Sequence, residues 1–293
     1  MFNSEAELVI PAKAMLGEGP CWDSEQNVLY WVNILDKKVN VYDPRTHKNR
    51  EIQLEQMVGT VAPSKSGSLV VALQKGLHFL DLETEELTFI HDPESHLPEN
   101  RFNDGKCDPF GRFWAGTMSL SEEKEAGSLY CLGTDLAVEK KRSNLTISNG
   151  LAWSPDQNSM YLIDTPTKKV TRFDYDLQTG HIENPTEVIA FPDGVGAPDG
   201  MTIDNDGMLW IAHWGGAQIS RWDPTTGEQL LSIPIPSLNV TSCTFGGENL
   251  DELYVTTARK DTSAENLHRY PEAGGVFKVK PGVKGMPAYR FRG

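Results

Sequence analysis

A short run of aromatic, β-branched and aliphatic residues, bounded by polar turn residues, recurs along the whole chain. It reads Leu29-Tyr30-Trp31-Val32, Leu69-Val70-Val71-Ala72, Arg112-Phe113-Trp114-Ala115, Met160-Tyr161-Leu162-Ile163, Leu209-Trp210-Ile211-Ala212 and Leu253-Tyr254-Val255-Thr256. Such runs predict short, well-buried strands. The second residue of each falls at 30, 70, 113, 161, 210 and 254, in steps of 40, 43, 48, 49 and 44. That is the pitch of a four-stranded propeller blade. Turn strings such as Pro109-Phe110-Gly111 and Asn205-Asp206-Gly207 precede most of these marks and predict a hairpin from a first strand into the marked one. A second mark follows in several repeats, as in Val41-Tyr42-Asp43, Phe79-Leu80-Asp81, Arg172-Phe173-Asp174 and Arg221-Trp222-Asp223. Segments such as Arg50 to Leu54 and Glu187 to Phe191 have the alternation for a fourth, outer strand. The predicted fold is all-β: a six-bladed β-propeller with four antiparallel strands per blade, a single domain over residues 1–293. A β-sandwich also has short strands and regular turns, but it does not account for two marks held in register through most of six repeats.

In a propeller the innermost strand of each blade starts at one rim of the central channel, so equivalent positions of different blades face each other across the axis. Glu18 lies 12 residues before Tyr30, Asn149 12 before Tyr161, Asp199 11 before Trp210 and Asn103 10 before Phe113. A glycine follows closely in each string: Gly17-Glu18-Gly19, Asn103-Asp104-Gly105, Asn149-Gly150 and Asp199-Gly200. Taken singly, these are turn dipeptides. In a common register they predict an axial metal site held by Glu18, Asn149 and Asp199. Two carboxylates and an amide oxygen are hard donors, favouring Ca²⁺ and compatible with Mg²⁺, Mn²⁺ or Zn²⁺. Three protein ligands leave positions for water and substrate.

Composition narrows the partners. The net charge of −14 is spread along the chain without a basic run, which argues against nucleic acid or an anionic membrane as partner. Residues 1–10 hold no apolar run of signal-peptide or membrane-span length, so a cytoplasmic protein is expected, a monomer or weak homo-oligomer. Cys21, Cys107, Cys131 and Cys243 lie far apart and predict buried free thiols rather than a zinc-thiolate or redox motif. No Gly-x-Ser-x-Gly elbow is present, and no histidine sits beside an obvious serine or cysteine nucleophile. His213, just after the fifth mark, has two readings: a residue lining the pocket, or a hydrogen-bonded structural histidine at a strand end.

The strings Leu16-Gly17-Glu18-Gly19-Pro20, Arg101-Phe102-Asn103-Asp104-Gly105-Lys106, Phe113-Trp114-Ala115-Gly116-Thr117-Met118, Ser148-Asn149-Gly150-Leu151-Ala152-Trp153-Ser154 and Pro198-Asp199-Gly200-Met201 occur in this order along the chain. As a set they resemble the signature segments of the SMP-30/gluconolactonase/regucalcin family of sugar-lactone hydrolases. The resemblance implies that Glu18, Asn149 and Asp199 bind the metal and that Arg101 and Asn103 contact the sugar lactone. It also shows a departure. Mammalian members carry a substrate-contacting glutamate soon after the Gly-Thr-Met segment, where this chain has Leu120 and Ser121, with Glu122 and Glu123 following. The expected function is metal-dependent hydrolysis of a small-molecule sugar (aldono-) lactone to the aldonic acid, with Asp199 orienting or deprotonating the attacking water. Two alternatives share the scaffold: phosphotriester hydrolysis, and metal or ligand binding without catalysis.

Overall fold

Strands cover most of the chain, and they fall into six four-stranded sheets, all antiparallel, in a computed structural model that describes residues 5–293. Of the opening segment considered above, residues 1–4 lie outside the described residues. Five sheets are built from consecutive strands, with innermost strands Gly17–Asp23, Val58–Pro63, Asn100–Cys107, Ser148–Trp153 and Ala197–Ile203. The sixth runs Asn239–Gly246, Glu252–Ala258 and Val276–Val279, and its outer strand is Glu7–Ile10 from the other end of the chain. Each of the six marks lies on the second strand of its blade. The sequence reading of a six-bladed propeller with four strands per blade therefore holds.

The packing explains why the marked strands read as continuous apolar runs. Every residue of Val28–Asn33 and of Leu69–Leu73 is buried, because each sheet is covered on both faces by its neighbours. Six hydrophobic clusters result, one at each blade-to-blade interface, such as Tyr30, Val32, Val61 and Val71 between blades one and two. Trp31, Trp114 and Trp210 are packing residues of these clusters, each no more than 1% exposed.

The outer closing strand was not expected. Its three rungs, Glu7 to Lys278, Leu8 to Phe277 and Ile10 to Val276, join the two ends of the chain, and no local pattern announces such a pairing. The C-terminal segment then crosses the end of the channel opposite the site described below. Gly285 donates to the Leu250 carbonyl, Lys65 to that of Phe291, and Arg290 pairs with Asp23 at 2.7 Å. Beneath it remains a water-sized space of about 40 Å³ lined in part by Asp104, Lys106 and Tyr289. Among the described residues no helix is long and apolar enough to cross a membrane.

Candidate functional site

All six innermost strands leave the ladder at the same level. Pairing with the second strand breaks between Glu18 and Cys21, Val58 and Thr60, Phe102 and Gly105, Ser148 and Leu151, Pro198 and Met201, and Val240 and Ser242. A bulge bends a strand and re-aims the side chains it carries. Asn149-Gly150 and Asp199-Gly200 are therefore bulges within strands, not turns. Their glycines are dictated by crowding: a Cβ on Gly200 would lie 2.1 Å from Ser242 Oγ, and one on Gly150 2.9 Å from the Asp199 carbonyl oxygen. Only glycine lets the inner strands approach this closely.

The bulges gather the predicted residues. Glu18, Arg101, Asn103, Asn149 and Asp199, each no more than 7% exposed, line one cavity of about 240 Å³ together with Thr165, Trp214, Glu122, Lys260 and Asp261. One detail of register differs from the sequence count. By strand pairing, Asp104 is level with Glu18, Asn149 and Asp199, since Lys106, two residues on, faces Trp114 as Leu151 faces Leu162 and Met201 faces Ile211. Asn103 enters the cavity from one residue earlier, while Asp104 points toward the space at the opposite end.

A single hydrogen-bonded chain runs around the cavity wall. Arg101 Nη1 donates to the Phe102 carbonyl at 2.9 Å and to Asn103 Oδ1 at 2.8 Å. Asn103 Nδ2 donates to the Ser148 carbonyl at 2.9 Å and to Asn149 Oδ1 at 3.1 Å. Asn149 Nδ2 donates to Thr165 Oγ1 at 2.9 Å, and Thr165 Oγ1 to the Pro198 carbonyl at 2.8 Å. Both amide hydrogens of Asn103 are thus committed, and what it has left for a ligand is acceptor capacity on Oδ1.

The carboxylates are the unpaid charges of the site. Burial, followed by the charge of Asp104, pushes Glu18 up to about 8. Burial and the charges of Glu18 and Asp104 push Asp199 well above the carboxylate range. Burial also draws Arg101 down to about 10, against the pull of Glu18, Glu122 and Asp199, so it remains a cation at neutral pH. Among the described residues no three His, Cys, Asp or Glu side chains gather as a metal-binding group.

This arrangement predicts a pH effect on stability. In the unfolded chain Glu18 titrates near 4.5, and in the folded protein near 8, so between these values the folded state holds protons the unfolded one has released. Stability then falls as pH rises. The buried His78 and His213 are shifted downward from 6.5 and oppose this trend only below that value. In chelator, the thermal midpoint is expected to drop between pH 6.5 and 8, and excess Ca²⁺ is expected to remove the drop. A midpoint that rises over this interval in chelator contradicts the titration assigned to the pair.

His213 resolves to its structural reading. Nδ1 donates to the Val195 carbonyl at 2.8 Å, and Nε2 faces Ser220 Oγ, which in turn accepts from Trp222 Nε1. It does not reach the cavity, whereas its neighbour Trp214 does. The four cysteines are buried and free, and burial raises their thiols to values at which little reactive thiolate forms.

Strand direction in the sequence already places the stretched connections 119–126 and 259–274 at the mouth of the pocket, but it does not single out Thr165 or Lys260, and it weighs His213 rather than Trp214 for the pocket. Thr165, Trp214 and Lys260 all lie at, or within two residues of, the end of a second strand, where a hairpin returns the chain to the rim that carries Glu18, Asn149 and Asp199. That position was the available signal. The stretched connections 119–126 and 259–274 meet across the mouth, where Lys260 Nζ pairs with Glu122 at 3.3 Å and lies 5.8 Å above the Trp214 ring. Asn239 holds the second connection by donating to the Lys260 carbonyl at 2.7 Å.

The model of the SMP-30/gluconolactonase/LRE-like region matches residues 16–259, which contain Glu18, Arg101, Asn103, Asn149 and Asp199. The chain belongs to this family. Relatives in the family are alike over their full length. A protein of Bacillus subtilis named as a sugar lactone lactonase, YvrE, is 39% identical over 99% of both chains. Human regucalcin is 39% identical over 100% of both. The crystal structure of the calcium-binding protein regucalcin from Agrobacterium tumefaciens superposes with a TM-score of 0.94 at 29% identity, covering 98% of this chain and 97% of that one.

Proposed function

We propose that this chain is a divalent-metal-dependent lactonase that opens a sugar (aldono-) lactone to the free aldonic acid. The observation that carries the reading is the meeting, in one small cavity, of two buried carboxyls without a cationic partner in contact, an oriented amide oxygen and a buried arginine. The family and the name of the Bacillus relative support lactone hydrolysis, and the name of the Agrobacterium structure supports a divalent ion. The donor set fits such an ion. Glu18, Asn149 and Asp199 would hold it, Ca²⁺ by preference for all-oxygen ligands, with Mg²⁺, Mn²⁺ and Zn²⁺ compatible. When bound, a dication supplies Lewis-acid polarisation of the ester carbonyl and charge for the developing oxyanion.

The remaining work falls to the protein. Asp199 takes the proton of the attacking water and returns it toward the leaving ring oxygen. The Arg101 N–H groups that are not bonded to Phe102 or Asn103 hold sugar oxygens, and Asn103 accepts a sugar hydroxyl through Oδ1. Of the two glutamates after the Gly-Thr-Met segment, Glu122 lines the cavity, so it takes the place of the family's substrate-contacting glutamate. A cavity of about 240 Å³ suits a single sugar ring better than a drug-sized ester.

The reading is tested by a pH-indicator assay over aldonolactones, homoserine lactones and a phosphotriester, with and without chelator. Chelator-sensitive turnover of an aldonolactone alone is the expected result. Turnover confined to the phosphotriester moves the protein to the other reaction class, and no turnover of any ester leaves a binding protein. In the same assay, substitutions within 119–126 are expected to reorder the lactone preferences while shifting stability little, because rim loops carry specificity on a rigid scaffold. A half-exposed pair such as Glu122–Lys260 contributes at most about 1 kcal/mol.

A further inference from the structure

We propose that Thr165 is a positioning residue that fixes which end of the Asn149 carboxamide faces the axial cation. The inference rests on the reading of Asn149 as a cation ligand and adds to it a residue outside the ligand set. Thr165 stands one residue beyond the strand Ser159–Asp164 and opens the short turn Thr165–Thr167. Its hydroxyl touches two ligand-bearing strands at once: it accepts from Asn149 Nδ2 at 2.9 Å and donates to the carbonyl of Pro198, next to Asp199, at 2.8 Å.

The direction of these bonds follows from donor and acceptor capacity alone. A carbonyl can only accept, so the one hydroxyl proton of Thr165 is committed to Pro198. Thr165 Oγ1 can therefore offer Asn149 nothing but a lone pair, and the nitrogen end of the amide must face it. From the other side, Arg101 can only donate, which turns Asn103 Oδ1 toward it and Asn103 Nδ2 toward Asn149 Oδ1. An Asn149 amide flipped by half a turn would set nitrogen against nitrogen at Asn103 and oxygen against an oxygen without a free proton at Thr165. The two ends of this hydrogen-bonded run agree on one orientation, with Asn149 Oδ1 on the Asn103 side and Nδ2 turned away toward Thr165. Without the hydroxyl only the Asn103 contact enforces it, at 3.1 Å.

The test measures Ca²⁺ affinity of the purified full-length protein by competition with a chromophoric chelator. Thr165→Val keeps the shape and removes the hydroxyl, and it is expected to weaken Ca²⁺ binding about 10–100-fold, the range typical of partners that orient a metal ligand. Thr165→Ser is expected to stay near the wild-type value. The separation from a general structural role comes from an Asn149→Asp background, where both ends of the side chain are oxygen and orientation no longer matters. There Thr165→Val is expected to cost little further affinity. Wild-type affinity in Thr165→Val, equal losses in the Val and Ser variants, or an undiminished loss in the Asn149→Asp background each overturns the inference. Unchanged affinity in Asn149→Ala fails differently, because it removes Asn149 from the ligand set and with it the reading on which the inference stands.

Discussion

Asp199→Asn is expected to lose about 10²–10⁴-fold in lactone turnover at saturating divalent ion, the contribution usual for a general base. Asparagine keeps an oxygen donor of the same reach but cannot take a proton from water. Asp199 is the residue suited to this task, because it is a buried carboxylate lining the same cavity as Arg101 and Asn103. The loss should lie in kcat and should survive an ion titration. Recovery of near wild-type turnover once enough Ca²⁺ is present would show that Asp199 acts only as a ligand, and the base would then be sought at Glu18 or Asp104.

Glu18→Gln is expected to produce the complementary pattern. Removing one of the two negative charges should weaken Ca²⁺ binding by more than the roughly 10–100-fold that an outer partner costs, and excess ion should restore much of the turnover. The same variant should be more stable than the wild type in chelator at pH 8, because the carboxyl that titrates near this pH no longer has to ionise in a buried place. A site tuned for binding an ion at the expense of the ion-free fold behaves in this way. Calcium affinity at the wild-type level in Glu18→Gln, measured by calorimetry, would count against the ligand assignment.

The two variants draw on residues that were legible in the sequence for a specific physical reason. Each second strand is buried on both faces, so it reads as an uninterrupted apolar run. Six such runs then fix the level at which Glu18, Asn149 and Asp199 stand in their blades. What stayed hidden depends on interactions without local sequence correlates. The closing strand Glu7–Ile10 finds its partner at the far end of the chain. The bulge of the third blade sets Asp104 rather than Asn103 level with Glu18, Asn149 and Asp199, a difference of one residue that spacing cannot resolve. Thr165 and Trp214 carry no motif and reach the cavity only because the hairpins return to its rim. Asn-Gly and Asp-Gly, ambiguous as dipeptides, became informative through their repetition and through the close approach of neighbouring inner strands at Gly150 and Gly200.

The proposed function requires one axial divalent ion and a hydrolysis that depends on it. The most direct test follows aldonolactone turnover and bound metal together in the purified protein as isolated, after removal of metal by chelator, and after titration with Ca²⁺. A variant with Glu18, Asn149 and Asp199 all replaced by alanine is carried in parallel. The predicted result is one ion per chain, turnover lost and regained in proportion to it, and neither ion nor turnover in the triple variant. Full turnover in the stripped protein, or one ion retained at wild-type affinity by the triple variant, would contradict the account.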